Sequence, residues 1–159
     1  MVTKIVSGGQ TGVDRAALDV ALERGLSCGG WCPQGRRAED GRIDPRYPLQ
    51  ETPWDGYPQR TEWNVRDSDG TLILTYGEAD RGTVLTVELV QRKKKPYLIV
   101  DIAGEVDVKV IRAWAEANGV RVLNVAGPRE GSSPGIYDRA AEVLRRLFQG
   151  ESTITSNGP

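Results

Sequence analysis

Five apolar runs rich in β-branched residues alternate with amphipathic helical patterns along this chain of 159 residues, and that alternation predicts an α/β fold. The apolar runs are residues 4–7, 26–32, 71–75, 97–102 and 121–126. The helical patterns are residues 13–24, 83–92, 106–117 and 134–148. Strands joined by helices pair in parallel, so we expect a Rossmann-like, mostly parallel sheet of five or more strands with helices on both faces.

The length and the cysteine content indicate one domain in a reducing compartment. We expect a single Rossmann-like domain over residues 1–150 and a polar C-terminal tail over residues 151–159. No apolar run approaches the roughly 18 residues of a membrane helix, and no leader pattern is present, so a cytoplasmic protein is expected. Cys28 and Cys32 are either buried structural thiols or soft ligands for a metal-bearing guest.

Charge and the lack of histidine exclude several classes of function. The net charge of −1 gives no electrostatic excess to drive nucleic-acid binding. A chain with 0 histidines cannot use Ser-His-Asp or Cys-His nucleophile systems, nor metal sites that need histidine ligands. Acid–base chemistry would have to come from Asp, Glu, Tyr, Lys or Cys, which favours binding over catalysis.

The first apolar run stops at two glycines, and a helical pattern begins within five residues. Glycines let a backbone approach a ligand closely, and the amide groups of a new helix attract anions. The alternative is a tight turn that binds nothing. The candidate ligand contacts in this first glycine turn are Gly8, Gly9, Gln10, Thr11, Gly12, Asp14 and Arg15.

Two further turns follow predicted strands and have a similar composition. Gly82, Thr83 and Thr86 can form a second anion site at a helix start, unless Asp80 or Thr83 merely caps that helix. Ser132 lies in the third turn. Ligands in parallel sheets bind beyond the carboxyl ends of the strands, so we expect the first two turns to share a pocket at neighbouring strands.

The long irregular segment from Pro33 to Arg60 is rich in arginine, proline and aromatic residues, which indicates one side of a binding site or an oligomer interface. Its candidates for oxyanion contacts are Gly35, Arg36 and Arg37, which could equally be solvated loop charges. Arg60 and Asn64 share one face of a short helical pattern. They could reach a ligand or form surface pairs.

Four motifs resemble one known family. They are Ser7–Asp19, Gly30–Gly41, Arg60–Gly70 and Asn124–Arg129, and the resemblance extends in order over nearly all of residues 1–148. Through them the chain resembles the molybdenum cofactor carrier proteins, which are similar to a wider Rossmann-like group, the SLOG and lysine-decarboxylase-like superfamily. That group includes nucleotide sensors and cytokinin-activating phosphoribohydrolases.

This resemblance implies a homo-oligomer, dimer or tetramer, that binds, stores and protects molybdenum cofactor (molybdopterin) or molybdate without turning it over. It also implies molybdoenzymes as acceptors of the cofactor. The alternatives are a nucleoside-monophosphate phosphoribohydrolase and a nucleotide-sensing regulator. Gly82-Thr83 resembles the turn of the enzymes, but Glu88 lies about one helical turn later than their glutamate, and hydrolase activity is therefore not expected.

Overall fold

The computed structural model describes residues 1–149, so the predicted tail over residues 151–159 lies outside the described residues. In chain order the elements are β1 (Lys4–Val6), α1 (Val13–Arg24), β2 (Ser27–Gly29), β3 (Trp31–Cys32), β4 (Arg37–Ala38), β5 (Gly41–Arg42), β6 (Gln50–Glu51), α2 (Tyr57–Arg66), β7 (Gly70–Thr75), α3 (Arg81–Arg92), β8 (Tyr97–Asp101), α4 (Val108–Ala117), β9 (Val122–Ala126) and α5 (Ile136–Leu147). None of the helices in this part of the chain is long and apolar enough to cross a membrane.

The central sheet confirms the predicted Rossmann-like α/β class. Its five strands run in the order β2-β1-β9-β7-β8, and every neighbouring pair is parallel. Leu98 and Val100 of β8 pack against the apolar core shared by α1, α4 and α5, whereas Tyr97 packs against α2 and α3. Since successive strand residues point to opposite faces, helices cover both faces of the sheet.

The predicted strand over residues 26–32 is divided at Gly30. That residue has a φ of +125°, and a β-carbon there would lie 2.4 Å from the carbonyl oxygen of Ser7. Only glycine fits such a bend beside another strand. After it the chain leaves the central sheet, and β3 pairs with β6 instead.

The pairing of β3 with β6 closes the segment between them into an ordered loop, which contains the β4–β5 hairpin. Leu18 of α1 packs with Cys32, Ile43 and Tyr47 in a small apolar cluster beneath this loop. Burial raises the pKa of the Cys32 thiol and of the half-buried Cys28. Both cysteines therefore fit the interpretation as packed thiols better than the interpretation as thiolate ligands.

Candidate functional site

A cavity of about 410 Å³ opens at the carboxyl ends of β1, β9 and β7. The turns after β1 and β9, the helix α2 and the N-terminus of α3 all reach it. Its lining residues are Gln10, Asp14, Tyr57, Arg60, Thr61, Asp80, Arg81, Gly82, Leu85, Thr86, Ala126, Gly127, Arg129 and Ser132. Three arginines and two aspartates therefore share a volume that suits one small ligand.

The cavity brings together part of the predicted site. The predicted residues that line it are Gln10, Asp14, Arg60, Gly82, Thr86 and Ser132. The first and second turns reach the same cavity, but they do not follow neighbouring strands as predicted. Strand β9 lies between β1 and β7, so the third turn, which follows β9, enters the site between the other two.

The first glycine turn is occupied by a carboxylate of the chain itself. The amide of Gln10 donates to Oδ2 of Asp14 at 3.3 Å, and the amide of Thr11 donates to Oε1 of Gln10 at 3.0 Å. The amide of Val13, at the start of α1, donates to the carbonyl oxygen of Pro128 at 3.2 Å. These three donors are engaged inside the protein, whereas Gln10 and Asp14 of the same turn line the cavity.

Two glycines of the first turn are required by packing against other segments. A β-carbon at Gly9 would lie 2.6 Å from Cδ1 of Leu49 and 2.9 Å from Cδ1 of Ile43, and its φ of +78° is itself strained for other residues. A β-carbon at Gly12 would lie 2.4 Å from the carbonyl oxygen of Pro128. Neither glycine lines the cavity, so the structure does not place them as ligand contacts.

Thr11 and Arg15 tie the first turn to the β4–β5 hairpin. The hydroxyl of Thr11 donates to the carboxylate of Glu39. Arg15 donates to the carbonyl oxygen of Gly9 at 3.0 and 3.1 Å, and to Asp40 at 2.9 Å. Their polar atoms are therefore used to hold the turn, and neither side chain lines the cavity as predicted.

Arg60 is confined at the cavity wall with part of its hydrogen-bonding capacity unused. Its Nη1 donates to Oγ1 of Thr61 at 3.0 Å and lies 3.7 Å from Oδ2 of Asp14. Its guanidinium carbon lies 5.4 Å from the ring centroid of Tyr57. Among residues 1–149 no acceptor is found for its buried Nε. A buried donor without a partner is unfavourable, so this position of Arg60 is costly for the folded protein.

Asp14 is only 4% exposed. Burial raises the pKa of its carboxyl group, and the nearby Arg60 and the amides of Gln10 and Gly8 lower that pKa by less. Desolvation disfavours the charged form of a carboxyl group, so burial is the dominant cause. A carboxyl group with a perturbed pKa inside a cavity is a typical feature of a functional site.

At the second turn, Asp80 caps the N-terminus of helix α3, which is the alternative to an anion site that the sequence left open. Its Oδ1 accepts from the amide and from the hydroxyl of Thr83, both at 2.8 Å. Thr83 is therefore turned towards the cap and does not line the cavity, which corrects its prediction as a ligand contact. Helix geometry leaves the amides of Arg81 and Gly82 without partners inside the helix, and both residues line the cavity.

The third turn contributes Arg129, which the prediction of site residues missed. Its Nε lies 3.0 Å from Oγ of Ser132 and 3.3 Å from Oε2 of Glu39. Glu39 also accepts from the amide of Gly131 at 2.8 Å. Arg81 was missed as well. The sequence could have indicated both arginines, since each lies in a segment that follows a strand of the predicted sheet.

Arg36 is not available to a ligand. Its side chain is buried, and its guanidinium donates to four backbone carbonyl oxygens at 2.8–3.2 Å. The acceptors are Ile43, Asp44, Tyr47 and Leu49. Arg36 therefore satisfies carbonyl groups of its own loop and does not line the cavity.

The other residues of this region that were predicted to contact a ligand also lie away from the cavity. Asn64 donates to the carbonyl oxygen of Trp31 at 2.9 Å and accepts from its amide at 2.8 Å, so it joins α2 to β3. The amide of Gly35 donates to Glu51 at 2.6 Å. Arg37 is exposed, with its guanidinium carbon 5.3 Å from the ring centroid of Tyr57. None of these three predicted residues lines the cavity.

Comparison with known proteins supports the resemblance stated above. The pattern of the circularly permutated YpsA SLOG family matches residues 5–148. The crystal structure of the "Putative molybdenum carrier protein" of Syntrophus aciditrophicus SB is 45% identical, with a TM-score of 0.88 over 93% of this chain and 95% of that chain. No curated protein matches the chain at a significant level. By sequence pattern and by structure, the chain belongs to the circularly permutated YpsA SLOG family.

Proposed function

We propose that this protein binds and stores molybdenum cofactor in the cavity at the carboxyl ends of β1, β9 and β7. The observation that carries the proposal is the convergence of Arg60, Arg81 and Arg129 on one cavity of about 410 Å³ at a helix N-terminus. The guest is a pterin with a terminal phosphate and a dithiolene that holds an oxo-molybdenum centre. Arginines and helix amides suit such an anion. The similar protein from Syntrophus aciditrophicus SB, by its name, supports this choice of ligand.

The phosphate would lie at the N-terminus of α3. The amides of Arg81 and Gly82 point along the helix axis towards this part of the cavity, where the helix dipole favours negative charge. The side chains of Arg129 and Ser132 reach the cavity from the third turn. Charge-assisted bonds from arginine to phosphate are stronger than neutral ones.

The flat ring of the guest would lie beside Tyr57 and Arg60, at the end formed by α2. Tyr57 offers an aromatic surface for stacking, and Arg60 lines the same end of the cavity. The cofactor supplies its own redox chemistry when it is delivered to an enzyme. The residues of this chain would bind, orient and shield it.

The arrangement of carboxylates favours a carrier over a phosphoribohydrolase. Glu78 and Glu88 are exposed, and neither lines the cavity. The two carboxylates that do line it are already engaged, Asp14 by the first glycine turn and Asp80 by the cap of α3. Catalysis at a ribose would need a carboxylate that can act there.

The test is anaerobic titration of the purified protein with molybdenum cofactor, followed by pterin fluorescence, and in parallel with adenosine monophosphate. We expect cofactor binding that weakens about tenfold or more in Arg129→Gln, because one charged hydrogen bond contributes about 1.5–3 kcal/mol. Arg92→Gln is the matched control, since Arg92 is exposed at the other end of α3. Release of adenine would instead establish the hydrolase, and tight nucleotide binding without turnover the sensor.

The proposal extends to a cytoplasmic homo-oligomer, dimer or tetramer, that passes the cofactor to molybdoenzymes. Ile99 is 46% exposed in the edge strand β8, where an exposed apolar side chain favours association between copies. Light scattering measures the assembly, and a monomeric mass at working concentration would contradict this part of the proposal.

A further inference from the structure

The carboxylate of Asp14 at the first glycine turn affects which anions the cavity can bind. We infer that Asp14 is a specificity-determining residue, because its carboxylate occupies the amide of Gln10 in the turn and balances Arg60. Small tetrahedral oxyanions are thereby excluded from this end of the cavity. This inference deepens the proposed function and rests on it only in taking this cavity as the anion site.

The position of Asp14 makes the exclusion strong. Its carboxylate is 4% exposed and lies on the lining of the cavity, so water and salt screen its charge poorly. It accepts from the amide of Gln10, whose own side-chain oxygen is held by the amides of Thr11 and Glu39 at 3.0 and 2.9 Å. These two bonds fix the orientation of the Gln10 side chain.

Arg60 can still interact with a ligand although Asp14 lies close to it. Its Nη1 lies 3.7 Å from the carboxylate of Asp14, too far for a hydrogen bond, and its Nε has no acceptor among residues 1–149. A neutral group of a ligand can lie beside Arg60 in the cavity without meeting repulsion from Asp14. The cavity thus selects a ligand with one anionic end, near α3, and a neutral hydrogen-bonding end near Arg60.

The charged groups around Asp14 come from several elements. Arg60 of α2 and Arg15 of α1 lower its pKa, while Asp80, Arg81 and Arg129 line the same cavity from α3 and the third turn. Burial outweighs the two neighbouring arginines and raises the pKa of Asp14. Acidification therefore neutralises Asp14 at a higher pH than an ordinary aspartate, and small oxyanions should then enter.

The test uses inorganic sulfate as the probe, because its charge stays constant from about pH 7 to pH 5. Calorimetric titration compares the wild-type protein with Asp14→Asn, and with Glu88→Gln as a control that removes the same charge outside the cavity. We expect Asp14→Asn to bind a further sulfate at least about tenfold more tightly than the wild type, since a like charge at close range costs more than ~1.4 kcal/mol. Glu88→Gln should behave as the wild type, and Arg60→Gln added to Asp14→Asn should remove the gain.

The pH dependence of the wild-type protein gives a second measurement that needs no folded variant. Its sulfate affinity should rise as the pH is lowered and Asp14 becomes neutral, and Asp14→Asn should lose that rise. A folded Asp14→Asn protein without a gain, or an equal gain in Glu88→Gln, overturns the inference. Failure of the wild type to bind molybdenum cofactor would instead count against the proposed function, because the sulfate experiment does not depend on that ligand.

Discussion

The guanidinium of Arg60 lies against the backbone of Gly8. A β-carbon added at Gly8 would lie 2.6 Å from Nη1 of Arg60 and 2.7 Å from its Nε. The ring of Tyr57 faces the same guanidinium at 5.4 Å. Gly8 is therefore the residue of the first turn whose small size positions a side chain of the cavity.

The change Gly8→Ala should displace Arg60 and weaken binding of the proposed ligand by about tenfold, the effect of one lost charged hydrogen bond. Its effect on unfolding should be small, because the colliding atoms belong to a flexible side chain. Titration and thermal unfolding measure the two effects. Gly104→Ala is the control, since a β-carbon there would meet nothing within 4 Å. Equal binding by the two variants would contradict the role assigned to Gly8.

Arg36 and Arg37 should differ sharply although they are neighbours in the chain. Arg36→Ala removes the donors from four backbone carbonyl groups, two of them in buried hydrogen bonds, and should lower the free energy of unfolding by about 3 kcal/mol. Arg37→Ala changes an exposed side chain and should stay within about 0.5 kcal/mol of the wild type. Urea denaturation measures both. Similar free energies for the two variants would refute the structural role of Arg36.

Asn64→Ala should loosen α2 from β3. The amide and the carbonyl of Trp31 both lose their side-chain partner, so we expect a loss of about 2 kcal/mol in the free energy of unfolding. Asn118→Ala is the control, because Asn118 also bonds a backbone carbonyl but is exposed at the end of α4. Should the two substitutions cost the same, the connection through Asn64 contributes less than the geometry indicates.

Asp40 should make the stability depend on acid pH. The hydrogen bonds from Arg15 lower the pKa of Asp40 below that of an ordinary aspartate. A carboxyl group whose pKa is lower in the folded state stabilises the protein above its unfolded pKa of about 3.9, and that contribution is lost as the pH falls through the folded pKa. Because Asp40 is half exposed, the contribution at neutral pH should be at most about 1 kcal/mol.

The measurement for Asp40 is urea denaturation of the wild type and Asp40→Asn across the acid range. The wild type should be the more stable protein at pH 7, and the difference should disappear at low pH. A difference between the two proteins that stays constant over the whole range would exclude titration of Asp40 as its cause.

The local sequence pattern was sufficient to predict most of the secondary structure. The predicted helix over residues 13–24 has the observed bounds of α1, since Gly12 and Gly25 mark its ends in the sequence itself. The division of the second strand at Gly30 could not be predicted. It depends on contact with Ser7, which directly follows the neighbouring strand β1, and such contacts are set by the tertiary fold.

The site was predictable in location but not in the roles of its charged residues. Turns after parallel strands indicated where the cavity would form, and three turns do reach it. Whether an arginine faces a cavity or its own loop depends on how that loop closes. Arg36 faces its own loop, because its guanidinium donates to four backbone carbonyl oxygens there. The occupation of the first turn by Asp14 likewise follows from packing, not from a sequence pattern.

The position of β1 between β2 and β9 has a consequence for the order of folding. Lys4–Val6 pair on one side with Val122–Asn124, so the centre of the sheet joins the beginning of the described chain to its last strand. Contacts between residues so far apart in sequence form slowly, because a long loop must close first. On the ribosome the cavity therefore cannot exist until β9 has emerged. A ligand can therefore be captured only after β9 has been synthesised.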